Sequence, residues 1–288
     1  MAAIDTSRQT TGIALPYEIS SEIWSKTQED SAVMQLARRI NLPGAGLEFQ
    51  TITGDPSASW VDETGIKPSV KHEYGSKKMK GYTLALIEPF SNQFKRDKNA
   101  LYNEVVNRMP GILAKKFDET VFAVTGTTAP GENFDTLASC PTASVGSSSI
   151  WDTLVTADHT IATNDGLLNG WAITPTGKSK LLTAKDTTGR PLFIDSMTAD
   201  SNVASIMGHP AYVRKGISDT GVLGYAGDWS SAVYGIVEDI KMDVAEQASI
   251  TNGSEVINLF ERNMFAIRFE MEVGFVVKDA NHFVKITE

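Results

Sequence analysis

One stretch of the chain has residue types and spacing that could cradle a phosphate. Gly177-Lys178-Ser179 has the ending of a nucleotide-binding loop. Such a loop, G-x-x-x-x-G-K-[ST], wraps phosphates with backbone N–H groups that its glycines free, and its lysine meets their charge. Counting back five from Gly177 gives Ala172 where a glycine belongs, and Gly170 lies two positions too far. Pro175, inside the would-be loop, has no N–H to offer. Thr174 instead suits a helix N-cap with Pro175 at the first helical position, and Leu181 and Leu182 begin an apolar face. The segment predicts a strand at 171–174 and a helix over 175–185.

Other chemistry is equally absent. The four histidines, His72, His159, His209 and His282, are scattered without metal-binding spacing. There is no G-x-S-x-G elbow, and Gly44-Ala45-Gly46 lacks the third glycine of a dinucleotide fingerprint. Cys140, the single cysteine, excludes an internal disulfide and any multi-cysteine metal site. It has no sequence-near base to activate it and reads as a buried or bland thiol. Asn252-Gly253-Ser254 matches a glycosylation acceptor, but without a secretory signal it reads as a hairpin turn. The aspartates are plentiful and unclustered. The expectation is no catalytic residue, no cofactor and no metal, hence not an enzyme. A soluble α+β hydrolase stands as the reading from another class, which turnover by the isolated monomer would support.

The bulk properties set further bounds. The chain has 288 residues, 41% hydrophobic and 21% charged, an ordinary globular balance with room for one large or two modest domains. No run approaches the ~20 apolar residues of a membrane span, and residues 1–20 lack the apolar core of a signal peptide. A cytoplasmic protein without a membrane role is expected. A net charge of −9 argues against a basic nucleic-acid binder. The charge is uneven: residues 61–119 carry 11 basic and 8 acidic side chains, the remainder 15 and 27. A mildly basic middle between acidic flanks has two readings: scatter, or a basic part that lies against an acidic part of another copy.

The elements follow from periodicity. Residues 1–15 suggest a flexible arm. Ile19, Ile23 and Trp24 lie at helical spacing within 16–31, and 32–40 is a short apolar segment. Residues 50–88 read as a long two-stranded loop, broken by Gly54, Pro56, Gly65 and Pro68 and too polar to bury itself. A hairpin of that length needs something to lie on. The strongest helix runs over 98–124, with Leu101, Val105, Met109, Ile112, Leu113, Phe117, Val121 and Val124 on its apolar face. Pro110-Gly111 predicts a kink or two abutting helices there. Residues 135–150 read as loop, 149–162 as helix, and 206–217 as a short strand and a bend. Residues 221–247 hold two strands, 252–253 a hairpin turn. In 264–277, Phe265, Ile267, Phe269, Met271 and Val273 face one way and Arg268, Glu270 and Glu272 the other, a half-buried strand. A last strand follows at 282–287.

Taken in order, these segments resemble the major capsid proteins of tailed double-stranded DNA bacteriophages. The resemblance is carried by LPYEISSEIWSKTQEDSAVMQLARRINLPG, by ASWVDETGIKPSVKHEYGSKKMKGYTLALIEPFSNQF, and by the long helix ending KKFDETVFAVTGT. GWAITPTGKSKLLTAKDTTGRPLF, IMGHPAYVRKGI, VLGYAGDWSSAVYGI and NLFERNMFAIRFEMEVGFVVKDANHFVKI continue it across nearly the whole chain. Trp60-x-x-Glu63 and the Gly189-Arg190-Pro191-Leu192-Phe193 turn are its more characteristic pieces.

The resemblance implies an α+β phage major capsid fold: an N-terminal arm at 1–42, an extended two-stranded loop at 43–92, and a peripheral domain with a long spine helix at 93–144. An axial domain at 145–235 and peripheral-domain strands at 236–288 complete it, the last strand returning to the axial sheet. It implies a homo-oligomer of hexamers and pentamers forming an icosahedral shell around phage DNA, without sequence-specific binding. Partners would be scaffolding protein, portal and cement proteins, and the place of action the virion capsid, assembled in the host bacterial cytoplasm. The start at Met1, almost at the arm, leads to the expectation that scaffolding is a separate protein. An encapsulin-like compartment shell, with the same fold, is the alternative.

The candidate inter-subunit contacts are Trp60, Glu63, Lys67, Lys71, Tyr74, Lys77, Lys78, Met79 and Lys80. Trp60 has two readings, packing on its own peripheral domain or anchoring in a neighbour's pocket, where Trp is enriched; Tyr74 and Met79 are weaker candidates. The lysines, with Lys95 and Arg96, are expected to meet acidic surfaces such as Glu238, Asp239 and Asp243. Some relatives form Lys–Asn links between subunits, and no motif here fixes that chemistry.

Overall fold

The computed structural model of the protein describes residues 27, 30–54, 60–62, 67, 73–93, 99–146, 149–185, 188–190, 204–252 and 255–288. In chain order the elements are α1 (Ala32–Leu36), β1 (Arg38–Asn41), β2 (Leu47–Gly54), β3 (Glu73–Met79), β4 (Tyr82–Ser91) and α2 (Asn99–Val121). There follow β5 (Thr142–Ser144), α3 (Ile150–Thr163), β6 (Gly170–Ile173), α4 (Pro175–Thr183), β7 (Ala204–Ile206), β8 (His209–Val213) and β9 (Val222–Gly227). The last are β10 (Ala232–Ala245), β11 (Ser249–Asn252), β12 (Glu255–Asn258), β13 (Met264–Val277) and β14 (Phe283–Thr287).

Two sheets carry the fold among the described residues. One is ordered β1-β10-β13-β4, the other β5-β14-β9-β6-β8-β7; β2-β3 and β11-β12 are separate ribbons. In the first sheet β1 runs parallel to β10 and the other pairs are antiparallel. Strand β13 shows why the sequence folds this way. Phe265, Ile267, Phe269, Met271 and Val273 are at most 3% exposed, whereas Arg268 is exposed. Past Gly274 the alternation stops and Phe275, Val276 and Val277 are all buried, because this end of the strand is covered on both faces.

The six-stranded sheet is covered on both faces too. Trp171, Ile173, Leu223, Ala226, Val284 and Ile286 pack under Leu154, Ala157 and Ile161 of α3 and Leu181 of α4. From the opposite face Ala172, Tyr225 and Phe283 join the main core, which also takes Met109, Leu113, Phe117 and Val121 from α2. Two-sided burial explains why β6 and β9 read as unbroken apolar runs, not as alternation. The Tyr225 hydroxyl donates to the Phe122 carbonyl at 2.9 Å, tying this sheet to the end of α2.

Several expectations change. Helix α2 runs uninterrupted over 23 residues with Pro110 inside it. Proline forfeits one helical hydrogen bond, and the four-residue spacing of Met109, Leu113, Phe117 and Val121 into one core holds the helix through it. Beside it, the Asp30 carboxylate comes within 2.9 Å of where a Cβ on Gly111 would stand, a clash the exposed aspartate can relieve by turning away. Residues 142–144, read as loop, form β5, parallel to β14 at the sheet edge. Strand β4, read as part of the extended loop, pairs over its whole length with β13. Its Leu84, Leu86 and Phe90 pack on the main core, which explains the pairing.

The phosphate-loop question closes here. Thr174 Oγ1 accepts from the Gly177 N–H at 2.9 Å, the N-cap geometry expected from Thr174-Pro175. A Cβ on Gly177 would lie 2.0 Å from the Leu223 carbonyl. This glycine serves helix-to-strand packing, and its N–H is already used.

Candidate inter-subunit surface

The ribbon β2–β3 is the element best placed to meet another molecule. It pairs antiparallel from Leu47 opposite Met79 to Gly54 opposite Glu73. Its root is fastened at three points. Met79 is fully buried with Leu42, Val233 and Val276. It lies in a slot made by Gly235 and Gly274, which face each other across β10 and β13. A Cβ on Gly235 would stand 2.6 Å from Met79 Cε, and one on Gly274 would stand 2.5 Å from the Lys80 carbonyl. Lys77 Nζ donates to the Val277 carbonyl at 2.7 Å and pairs with Asp135 at 3.1 Å. The same Asp135 carboxylate accepts from the Val277 N–H at 3.0 Å. Gly46, at φ +86°, makes the turn into the ribbon against the Met79 carbonyl.

Among the described residues beyond the ribbon, Trp60 has a relative exposure of 104%, and Val61, Asp62 and Lys67 are exposed; Lys78 and Lys80, at the root, are exposed as well. A bare indole is costly in water and is a common anchor at interfaces.

A second contact lies inside. Asp118 of α2 is fully buried. Its carboxylate accepts from Ser31 Oγ at 2.6 Å, the Ala32 N–H at 2.8 Å and the Val33 N–H at 3.4 Å. Ser31 also caps α1, accepting from the Met34 N–H at 3.1 Å. Burial pushes the Asp118 carboxyl up to about 7, against the pull of those donors and of Arg214. Asp118 thus fastens the segment before α1 to the long helix. The sequence held only a weak signal for it: of the adjacent carboxylates Asp118 and Glu119, it is Asp118 that falls at helical spacing from the buried Ala114 and Val121.

No cluster of three or more metal-ligating side chains exists among the described residues. No helix among them is long and apolar enough to cross a membrane. Cys140 is buried, which raises its thiol to about 11.

The family model for phage capsid proteins matches residues 11–287. The chain belongs to the phage capsid family. Among its relatives, a protein named probable major capsid protein gp17 of Mycobacterium phage L5 is 28% identical, covering 94% of this chain and 88% of that one. The major capsid protein of Staphylococcus phage 80alpha is 23% identical, covering 93% and 83%. Among solved structures, one from Mycobacterium phage Ogopogo superposes with a TM-score of 0.76 at 16% identity, covering 90% and 92%. One from Gordonia phage Cozz gives 0.72 at 23%, covering 90% and 86%. The fold is the phage capsid fold, mixed helix and sheet.

Within this capsid-family chain the expected contact residues fall into distinct groups. Trp60, Lys67, Lys78 and Lys80 are exposed on or beyond the ribbon. Lys77 is half-buried and engaged by its own chain's Asp135 and Val277. Met79 requires correction: it is a core residue at 0% exposure, held by its own sheet, and offers nothing to a neighbour. Tyr74 contributes its backbone to β3, its side chain lying outside the described residues. Glu63, Lys71, Lys95 and Arg96 also lie outside them. The acidic residues expected to receive the lysines have partners at home: Glu238 with Lys241, Asp239 with Arg39 at 3.5 Å, and Asp243 with Arg268 at 2.6 Å. These pairs are solvent-exposed and weak, and an incoming cation can exchange into them.

Proposed function

We propose that this chain is the major capsid protein of a tailed phage, assembling through pentamers and hexamers into the icosahedral shell that encloses double-stranded DNA. The observation that carries this reading is a ribbon fastened at its root whose described residues beyond it, Trp60, Val61, Asp62 and Lys67, are exposed. A two-stranded ribbon is marginal alone, so its exposed indole and lysines gain most by lying on an adjacent copy. That contact joins unlike patches, is heterologous, and closes into rings. Each copy then touches several others, and modest contacts sum to a durable shell, with more than the ~1,600 Å² of a standard interface buried per copy. In this reading β2–β3 is the extended loop, α2 the spine helix, the four-stranded sheet the peripheral domain and the six-stranded sheet the axial domain. The net charge of −9 fits a container that holds DNA without gripping it. Scaffolding, portal and cement proteins would be its partners, and the virion its destination after assembly in the host cytoplasm.

The test replaces residues 55–72 by a two-residue turn, which keeps Lys77 and Met79 in place. The expected result is a folded chain that no longer forms closed shells under negative stain. Shells as numerous and closed as the parent's would refute the role given to the ribbon.

A further inference from the structure

We propose that the turn bearing Phe260 and Glu261 of one copy docks in the groove beside the ribbon root of a second copy. Phe260 would rest on the apolar floor, and Glu261 would pair with Arg38 and Lys278. The proposal rests on the shell-forming reading and names a contact within it.

The groove has a volume of about 340 Å³ and lies between β2–β3 and the β1 side of the four-stranded sheet. Its floor is Phe49, Val233 and Val276, and its rim carries Arg38, Lys77 and Lys278. Lys77 is held by Asp135. Arg38 and Lys278 are exposed and have no ion-pair partner among the described residues. An apolar floor under two unsatisfied cations selects an acidic side chain beside an apolar one.

The same chain supplies that pair. Phe260 is 74% exposed, and Glu261 beside it is exposed without an ion-pair partner among the described residues. The turn that carries them is built. Leu259, at 0% exposure, anchors it, donating its N–H to the Ala248 carbonyl at 3.0 Å and accepting the Met264 N–H at 2.9 Å. The Asn263 N–H closes on the Phe260 carbonyl at 3.3 Å, and Asn258 Oδ1 accepts the Phe260 N–H at 3.2 Å. The phenyl ring is therefore held out into water on a tight turn. An aromatic knob of that kind is a hot-spot residue in search of a pocket. Because knob and groove are different patches, the contact is head-to-tail, the kind that closes rings.

The test is a charge swap in the full-length chain. Glu261→Lys, the pair Arg38→Glu with Lys278→Glu, and all three together are compared with the parent by sedimentation and negative-stain counting of shells. Thermal melting of the unassembled chain shows that each variant folds. Each one-sided reversal is expected to lower shell yield about tenfold or more, and the combined variant to recover most of it. Phe260→Ala should lower yield with an unchanged melting temperature. One-sided reversals that assemble like the parent overturn the contact and leave the capsid reading intact. So does a combined variant no better than its components, the outcome expected if the groove serves an acidic segment of another protein. A parent that forms no shells under any assembly condition overturns the capsid reading and this contact with it.

Discussion

The six-stranded sheet and the β2–β3 ribbon sit at opposite extremes of support. The sheet is packed on both faces, by α3 and α4 on one and by the main core on the other. The ribbon is fastened at Lys77 and Met79 and bare at Trp60. The contrast teaches which parts of the chain fold it and which parts are left over for another molecule. Substitutions in the first group should lower melting temperature, and substitutions in the second should spare it and change assembly alone.

The largest effect is expected at Asp118. Asp118→Ala strands Ser31 Oγ and the N–H groups of Ala32 and Val33, at a cost of about 3–5 kcal/mol in chemical denaturation. The residue also gives a pH dependence of definite sign. Its folded value of about 7 lies above the ordinary 3.8, so the folded chain holds this proton more tightly than the unfolded one. The stabilisation is complete below pH 4 and is lost as pH rises toward 7, by at most about 1.4 kcal/mol per pH unit. Denaturation midpoints should therefore fall between about pH 4 and pH 7 and level off above that, less so in Asp118→Asn. A flat profile would mean the carboxylate is not desolvated as described.

Next comes Gly177→Ala, whose methyl would collide with the Leu223 carbonyl. It should cost about 2–3 kcal/mol, read as a lower melting temperature. Lys77→Ala removes a half-exposed ion pair and a hydrogen bond at the ribbon root, for about 1 kcal/mol. Trp60→Ala should change folding stability by no more than ~0.5 kcal/mol, because Trp60 is fully exposed. Its effect belongs in shell yield. A clear drop in melting temperature for Trp60→Ala would break the contrast between the two regions.

How much of this was legible in the sequence depends on where the partners lie. Thr174-Pro175 announces its helix because the cap and the helix are adjacent, and β13 announces itself by alternation. Strand β5 did not, since Thr142-Ala143-Ser144 holds a single strand former, Thr142, and exists through its pairing with β14, some 140 positions away. Met79 was misread for the same reason. It follows two lysines in a polar stretch, and the glycines that receive it are Gly235 and Gly274, far along the chain. Asp118 looked like one aspartate among many until Ser31 and α1 were brought beneath it. Of the ribbon, the sequence showed its excess length and polarity, but not that its root belongs to the body of the protein.

The two facing glycines have a mechanical consequence. They seat one thioether at the base of a ribbon whose first strand has eight residues, a lever of about 27 Å at roughly 3.4 Å per residue. A tilt of a few degrees at the fulcrum moves the far end by ångströms, so the smallest residues in the sheet set the aim of its longest limb. A single methyl added at Gly274 would press on the Lys80 carbonyl and Met79 and so change the direction in which that limb leaves the body of the protein.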